Sequence, residues 1–303
     1  MTVEEESEVR SLLAGISPLA EYSGEIQRLG GLTNRVYALG QFVLRIPGKG
    51  TEDYINRSNE RVMALAAAAA GVSPALIYGD AATGIMVTER IDSATTLSPD
   101  GFKSIPGAVA RAGEALHQLH TSGRAFPARF ELFAMIDDYL KIIADKKVAL
   151  PLGYDDVVRG AQGIRLALNK NPAPLVPCHC DPLCENFLDA GSRMWIVDWE
   201  YSGMNDPMWD LGDLSVEGGF TPEQDDALLH AYFHSDPAPR DHGRMVIYKA
   251  MCDLLWTLWG LIQHANANPA DDFKSYAENR FARCKTLMAT PEFAKHVAAV
   301  AVD

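Results

Sequence analysis

Apolar and polar positions change their rhythm once along this chain. Up to Ile91, short apolar runs alternate with turn residues. Gly24 to Leu29, Arg35 to Leu39 and Gln41 to Ile46 are β-like, and Gly30-Gly31, Gly40 and Pro47-Gly48 bound them, which predicts an antiparallel meander. Asp53 to Ala70 is rich in helix formers and stops at Gly71 with Pro74 beyond, so it predicts one helix. The runs Ala75 to Tyr78 and Ile85 to Ile91, broken by Gly79-Asp80 and Thr83-Gly84, add a hairpin and complete a five-stranded sheet. Asp92 to Pro106 is rich in Ser, Thr, Pro and Gly and predicts a boundary or hinge. Beyond it, Ile105 to His120, Leu132 to Lys146, Asp225 to His234 and Arg244 to Ala265 repeat apolar residues at helical spacing. The expected architecture is α+β, with a small antiparallel sheet and one helix in residues 1–91 and a larger, mainly helical part in residues 92–303.

Composition narrows the partners. With 303 residues and 48% hydrophobic content the chain can bury a sizeable core. A net charge of −13 opposes nucleic-acid binding, because that affinity comes from cations neutralising phosphates. A small cationic partner suits it better. Met1 to Leu13 carries Glu4, Glu5, Glu6 and Glu8, unlike the basic start of a secretory signal. The most apolar stretches, Ala64 to Val72 and Ala250 to Ile262, are too short or too interrupted to span a bilayer, so no membrane partner is expected. Five cysteines, three of them crowded at Cys178, Cys180 and Cys184, read as reduced thiols of a cytoplasmic protein.

The densest cluster of chemistry is Pro177 to Asn186, which contains His179-x-Asp181-x-x-x-x-Asn186. Twelve residues on, the apolar run Met194 to Val197 ends at Asp198, and this pairing has the spacing of a kinase catalytic loop with a following metal-binding carboxylate. Taken singly these are turn and cap residues. Together they fit phosphoryl transfer, with Asp181 orienting an acceptor hydroxyl and receiving its proton while Asn186 and Asp198 hold Mg²⁺. A zinc site at Cys178, His179, Cys180 and Cys184 is disfavoured, since three ligands in consecutive positions lack a distant second pair. Upstream, Gly30, Gly31, Thr33 and Asn34 lie between two predicted strands, where amides and side chains can approach phosphates. Arg45, a cation inside an apolar strand, calls for a partner, and Glu60 on the following helix is the candidate.

With these segments in view the chain resembles the choline/ethanolamine kinase branch of the aminoglycoside phosphotransferase-like kinases, from about Leu29 to Cys284. The resemblance rests on Gly30 to Asn34, Phe42 to Gly48, His179 to Asn186, Val197 to Gly203 continuing to Asp210-Leu211-Gly212, and Leu255 to Gln263. It implies a bilobal protein-kinase-like fold that uses ATP and Mg²⁺ to phosphorylate choline, with ethanolamine, thiamine or an aminoglycoside as alternative acceptors and a catalytically silent binding protein as a further alternative. Trp256 and Trp259 would line the choline pocket, as aromatic faces recognise a quaternary ammonium, with Glu217 and Tyr201 beside them. Glu200 and Trp209 are further candidates, and Leu183 stands where animal choline kinases have Gln. Glu89 and Ile91 would belong to the hinge that meets adenine, Asp210 would prop the catalytic loop, and His117 and His120 would pack or face solvent.

Overall fold

The structure, a computed structural model, describes residues 1–30, 34–48 and 55–302. It opens with helix α1 (Val3–Leu13), which the apolar pattern left unread. Its signal is a cap: Thr2 accepts the amide of Glu5 at 3.1 Å, and Glu4, Glu5 and Glu6 sit at the positive end of the helix dipole. Strands β1 (Gln27–Arg28), β2 (Arg35–Leu39) and β3 (Phe42–Ile46) follow, then α2 (Arg57–Ala69), β4 (Leu76–Gly79) and β5 (Met86–Glu89). The five strands form one antiparallel sheet in the order β1-β2-β3-β5-β4.

Strand alternation decides which side of that sheet does what. Tyr37, Leu39, Leu44, Ile46 and Val87 face α1 and close a small core with Val9 and Leu13. Arg45, between Leu44 and Ile46, therefore points to the opposite face, where α2 lies. Met63, Ala64 and Ala67 of α2 belong to the other, larger core, so this helix ties the sheet to the helical part.

The segment expected to be a hinge is partly built. Strand β6 (Thr95–Thr96) and α3 (Pro99–Ser104) occupy it, and Ser98 caps α3 by accepting the Gly101 amide at 3.1 Å. Its Ser, Thr and Pro are thus strand and cap residues, with Pro99 at the start of the helix where no amide is lost. Helices α4 (Ala108–His120), α5 (Leu132–Asp145) and α6 (Tyr154–Lys170) precede four short strands, β7 (Val176–Cys178), β8 (Phe187–Asp189), β9 (Met194–Ile196) and β10 (Gly203–Asn205). β7 pairs with β10, and β6, β8 and β9 form a second ribbon. Helices α7 (Pro207–Gly218), α8 (Pro222–Phe233), α9 (Pro239–Ala265), α10 (Phe273–Met288) and α11 (Pro291–Ala301) complete the chain.

Helix α9 spans 27 residues and reaches a mean hydropathy of 1.4, longer and more apolar than the sequence reading allowed. It is a core helix: 83% of its most apolar window is buried. Gly212 lets α7 lie against it, since a Cβ there would come within 2.7 Å of the Met245 carbonyl oxygen.

Candidate functional site

The loop between β7 and β8 is held from beneath by one carboxylate. Asp210, buried in the first turn of α7, accepts the amides of His179 at 2.7 Å and Cys180 at 2.8 Å. His120 Nε2 lies 3.0 Å from the same Asp210 oxygen that receives the His179 amide, and His120 Nδ1 lies 2.9 Å from the Tyr232 hydroxyl, so this histidine is a buried prop. His117 packs edge-on against Tyr232. His179 donates through Nε2 to the Val197 carbonyl at 2.9 Å, and burial holds its pKa below the usual value. Trp209 is wholly buried and donates to the Cys180 carbonyl at 3.1 Å. It supports the loop and packs against Phe130 and Tyr248. Cys178, Cys180 and Cys184 are buried free thiols with pKa values pushed up by burial, the opposite of what a nucleophile or ligand needs.

So anchored, the loop turns Asp181 into the interlobe space. Asn186 donates through its side-chain nitrogen to the Asp181 carbonyl at 3.0 Å, which leaves its amide oxygen for a cation. Its own carbonyl accepts the Val197 amide at 3.0 Å, drawing the end of β9 alongside the loop. Cys180 and Asp198 both have a φ of 68°, so left-handed backbone precedes Asp181 and carries Asp198. Such strained positions persist where surrounding bonds over-determine them, as the bonds just described do here.

Facing Asp198 from the sheet side is a charge network. Arg45 pairs with Glu60 as the sequence predicts, and it also reaches Asp198 at 3.3 Å and Glu200 at 3.2 Å. Asn34 places its side-chain nitrogen 3.4 Å from both Asp198 and Glu200 and accepts the Gly48 amide at 3.3 Å. A second cation, Arg57, bridges Glu60 at 2.8 Å and Glu200 at 3.1 Å. Sequence reading missed it, although its place at the first position of α2, three residues before Glu60, was a signal. Glu200 has its pKa pushed up to about 7, by burial first and then by the charge of Asp198. Gly30 is exposed, and Gly31 and Thr33 lie outside the described residues. Glu89 is exposed beside Phe42, at the end of β3 away from the charged network, and Ile91 follows it half-buried into the second part of the chain.

The acceptor side is built by α7, α9 and α10. Tyr201 meets Trp256 edge-on with ring centroids 5.7 Å apart, and Trp256 meets Trp259 in the same way at 6.0 Å. Trp259 in turn packs against Phe273 at 5.4 Å and Tyr276 at 5.8 Å. Glu217 pairs with Arg280, which also bonds Asp253 at 3.2 Å and lies 4.7 Å from the centroid of the Tyr276 ring. Tyr276, Arg280 and the buried Asp213 were not singled out from the sequence. Asp181 has its pKa pushed well above the usual range, by burial and then by Glu217, Asp198 and Glu200, with Arg280 acting the other way. Carboxyl groups here outnumber the cations that answer them, and the neutral form of Asp181 is favoured.

The hard oxygen donors of Asp198 and Asn186 fit Mg²⁺, and the buried Asp198 Oδ1, though 3.3 Å from the Arg45 guanidinium, makes no hydrogen bond. Comparison with known proteins places the chain among phosphotransferases. Residues 25–245 match the model of the phosphotransferase enzyme family. The protein LicA of Haemophilus influenzae is 28% identical over 273 residues, covering 86% of this chain and 79% of LicA. A crystal structure of a choline/ethanolamine kinase family protein from Mesorhizobium loti is 64% identical, covers 98% of this chain and 99% of that one, and superposes with a TM-score of 0.93. The choline kinase LicA of Streptococcus pneumoniae is 27% identical with a TM-score of 0.78, covering 94% of this chain and 99% of that one, and a LicA structure exists in complex with AMP.

Proposed function

This chain belongs to the phosphotransferase enzyme family, in its choline/ethanolamine kinase branch, and from that premise we propose that it transfers the γ-phosphoryl group of ATP to the hydroxyl of choline, giving phosphocholine. The acceptor oxygen forms the new bond to phosphorus as the bond to the β-γ bridging oxygen breaks, and the hydroxyl proton passes to the Asp181 carboxylate. Asn186 and Asp198 would hold Mg²⁺, which when bound neutralises charge on the phosphate oxygens. Arg45, kept in place by Glu60, would meet the phosphates, with Asn34 beside the same Asp198 carboxylate. The raised pKa of Asp181 belongs to the site without its cations. A positively charged acceptor beside Glu217 would lower it and free the carboxylate to act as a base.

The observation that carries the choline assignment is the aromatic wall of Tyr201, Trp256 and Trp259 beside an excess of carboxylates. A quaternary ammonium has no N–H to donate and is recognised by aromatic faces and negative charge. Ethanolamine is the alternative acceptor, since a primary ammonium would use the same carboxylates through hydrogen bonds. We place the reaction in the cytoplasm, in keeping with five buried free thiols.

An ATP-consumption assay with Mg²⁺ and choline, ethanolamine, thiamine or kanamycin tests this reading. Choline is expected to give the highest kcat/KM, and Trp259→Ala to raise the choline KM by about fivefold to thirtyfold with a smaller effect on kcat. Turnover of another acceptor in preference would remove the choline assignment and leave the kinase.

A further inference from the structure

Among the carboxylates beside Glu217, Asp213 is one that the scheme above does not use and that no cation among the described residues pairs with directly. It lies on α7 one turn before Glu217, so the two side chains share a helix face. A carboxylate oxygen of Asp213, one of Glu217 and the Cys252 sulfur all fall within 4.8 Å of one another. Asp213 is 0% exposed; its Oδ1 accepts from the Cys252 thiol at 3.0 Å, while its Oδ2 is buried with no hydrogen-bond partner. An unpaired oxygen of this kind is expensive to bury, and the cost is relieved by a proton or by a nearby cation.

The resident cation is committed elsewhere. Arg280 spends one terminal nitrogen on Glu217 and the other on Asp253. Charged and titratable groups face Asp213 from each surrounding element: Glu217 on its own helix, Asp181 from the catalytic loop, Cys252 and Asp253 from α9, and Arg280 from α10. Among them stand four carboxylates (Asp181, Asp213, Glu217, Asp253), against the guanidiniums of Arg280 and the half-exposed Arg283, which also pairs with Asp253. Burial and the charges of Glu217 and Asp181 push the Asp213 pKa well above the usual range, with Arg280 acting the other way, so the empty site favours the protonated acid.

We propose that Asp213 is a specificity-determining residue of the acceptor site, supplying behind Glu217 the second negative charge that selects a positively charged alcohol over a neutral one of the same shape. It need not touch the acceptor. In a poorly screened interior its field acts across the few ångströms that separate it from the Glu217 carboxylate. Glu217 is already paired with Arg280. The Asp213 carboxyl favours its neutral form in the empty site, and an ammonium beside it favours the carboxylate, so it gives up its proton as a cationic acceptor binds and gains nothing from a neutral one.

The inference rests on choline as acceptor, and its test uses choline and its neutral isostere 3,3-dimethylbutan-1-ol. The ratio of kcat/KM for the two alcohols is measured with the wild type, with Asp213→Asn, and with Cys252→Ser, which keeps both the charge and a donor to it. Asp213→Asn is expected to cut the preference for choline by about tenfold through KM, with kcat at saturating choline within about threefold of wild type. Cys252→Ser should keep the wild-type preference. Asp213→Ser serves in place of the amide should that variant melt early. An unchanged preference in a folded neutral variant overturns the role of Asp213 while leaving the choline assignment standing. A wild type that phosphorylates neither alcohol defeats the acceptor assignment and this inference with it.

Discussion

Asp181 and Asp198 sit at the ends of short strands, and each owes its aim to backbone that most residues avoid. The left-handed turns at Cys180 and Asp198 are held by bonds to Asp210, Val197 and Asn186, so the carboxylates are aimed before any substrate arrives. Asp181→Asn keeps the shape and removes the proton acceptor, and turnover is expected to fall by about 10²- to 10⁴-fold with an unaltered melting curve. Asp198→Ala should abolish Mg²⁺-dependent turnover outright. A folded Asp198→Ala enzyme of wild-type rate would contradict the whole scheme. The residues that sequence reading singled out at this scale, His179, Asp181, Asn186 and Asp198, lie in one short stretch whose spacing is itself the signal. Arg280 escaped because its partner Glu217 is 63 positions away, and no local pattern advertises such a bond.

Between elements, the pairing of α4 with β8 shows how the second ribbon is fixed. Arg111 bonds Asp189 through two nitrogens, at 2.9 and 2.6 Å, and Asp189 also receives the Gly191 amide at 2.9 Å. Burial raises the Asp189 pKa, but the bond to Arg111, the amide and the charge outweigh it and the net shift is downward. A lowered pKa means stability that is present above the unfolded carboxylate's range and lost as pH falls through the folded value. Arg111→Met should therefore cost about 2 kcal/mol at pH 7. In urea titrations across pH, the gap between variant and wild type should shrink below about pH 4. The segment Asp92 to Pro106, which the sequence marks as a boundary or hinge, shows how little composition says of local structure at this scale. Ser, Thr and Pro are loop residues on average, yet here Ser98 is a cap and Thr95 pairs with Asp189.

Taken whole, the molecule has two cores of unequal reach. The smaller lies between α1 and the sheet, and the larger extends back across residue 92 to include Met63, Ala67, Val72 and Met86. Residues 92–303 expressed alone would expose that apolar surface, so the fragment is expected to bind ANS and to lack a cooperative melt, whereas the full chain melts with a single core-wide transition. A fragment that melted like the intact protein would assign α2 a minor part in the larger core. Ligand binding acts at the same scale, because the charged network joins β3, α2 and the strand end at Asp198. Mg²⁺ and ATP together at about 100 times their dissociation constant should add about 2.7 kcal/mol to stability.

The apolar rhythm by itself determined the five strands, the helix α2 and the long helices α4, α5 and α9, because period-2 and period-3.6 patterns are local consequences of which face is buried. Short-range spacing likewise marked out the segment from His179 to Asn186 and the Arg45–Glu60 pair. What only the tertiary structure decided is the set of bonds between distant segments: Asn34 with Asp198, 164 positions apart, Arg45 with Glu200, 155 apart, and the unanswered oxygen of Asp213 behind Glu217. A sequence states which charges exist. Whether a buried polar group finds its partners depends on how the chain packs, and at Asp213 the packing satisfies one carboxyl oxygen and leaves the other without a hydrogen bond.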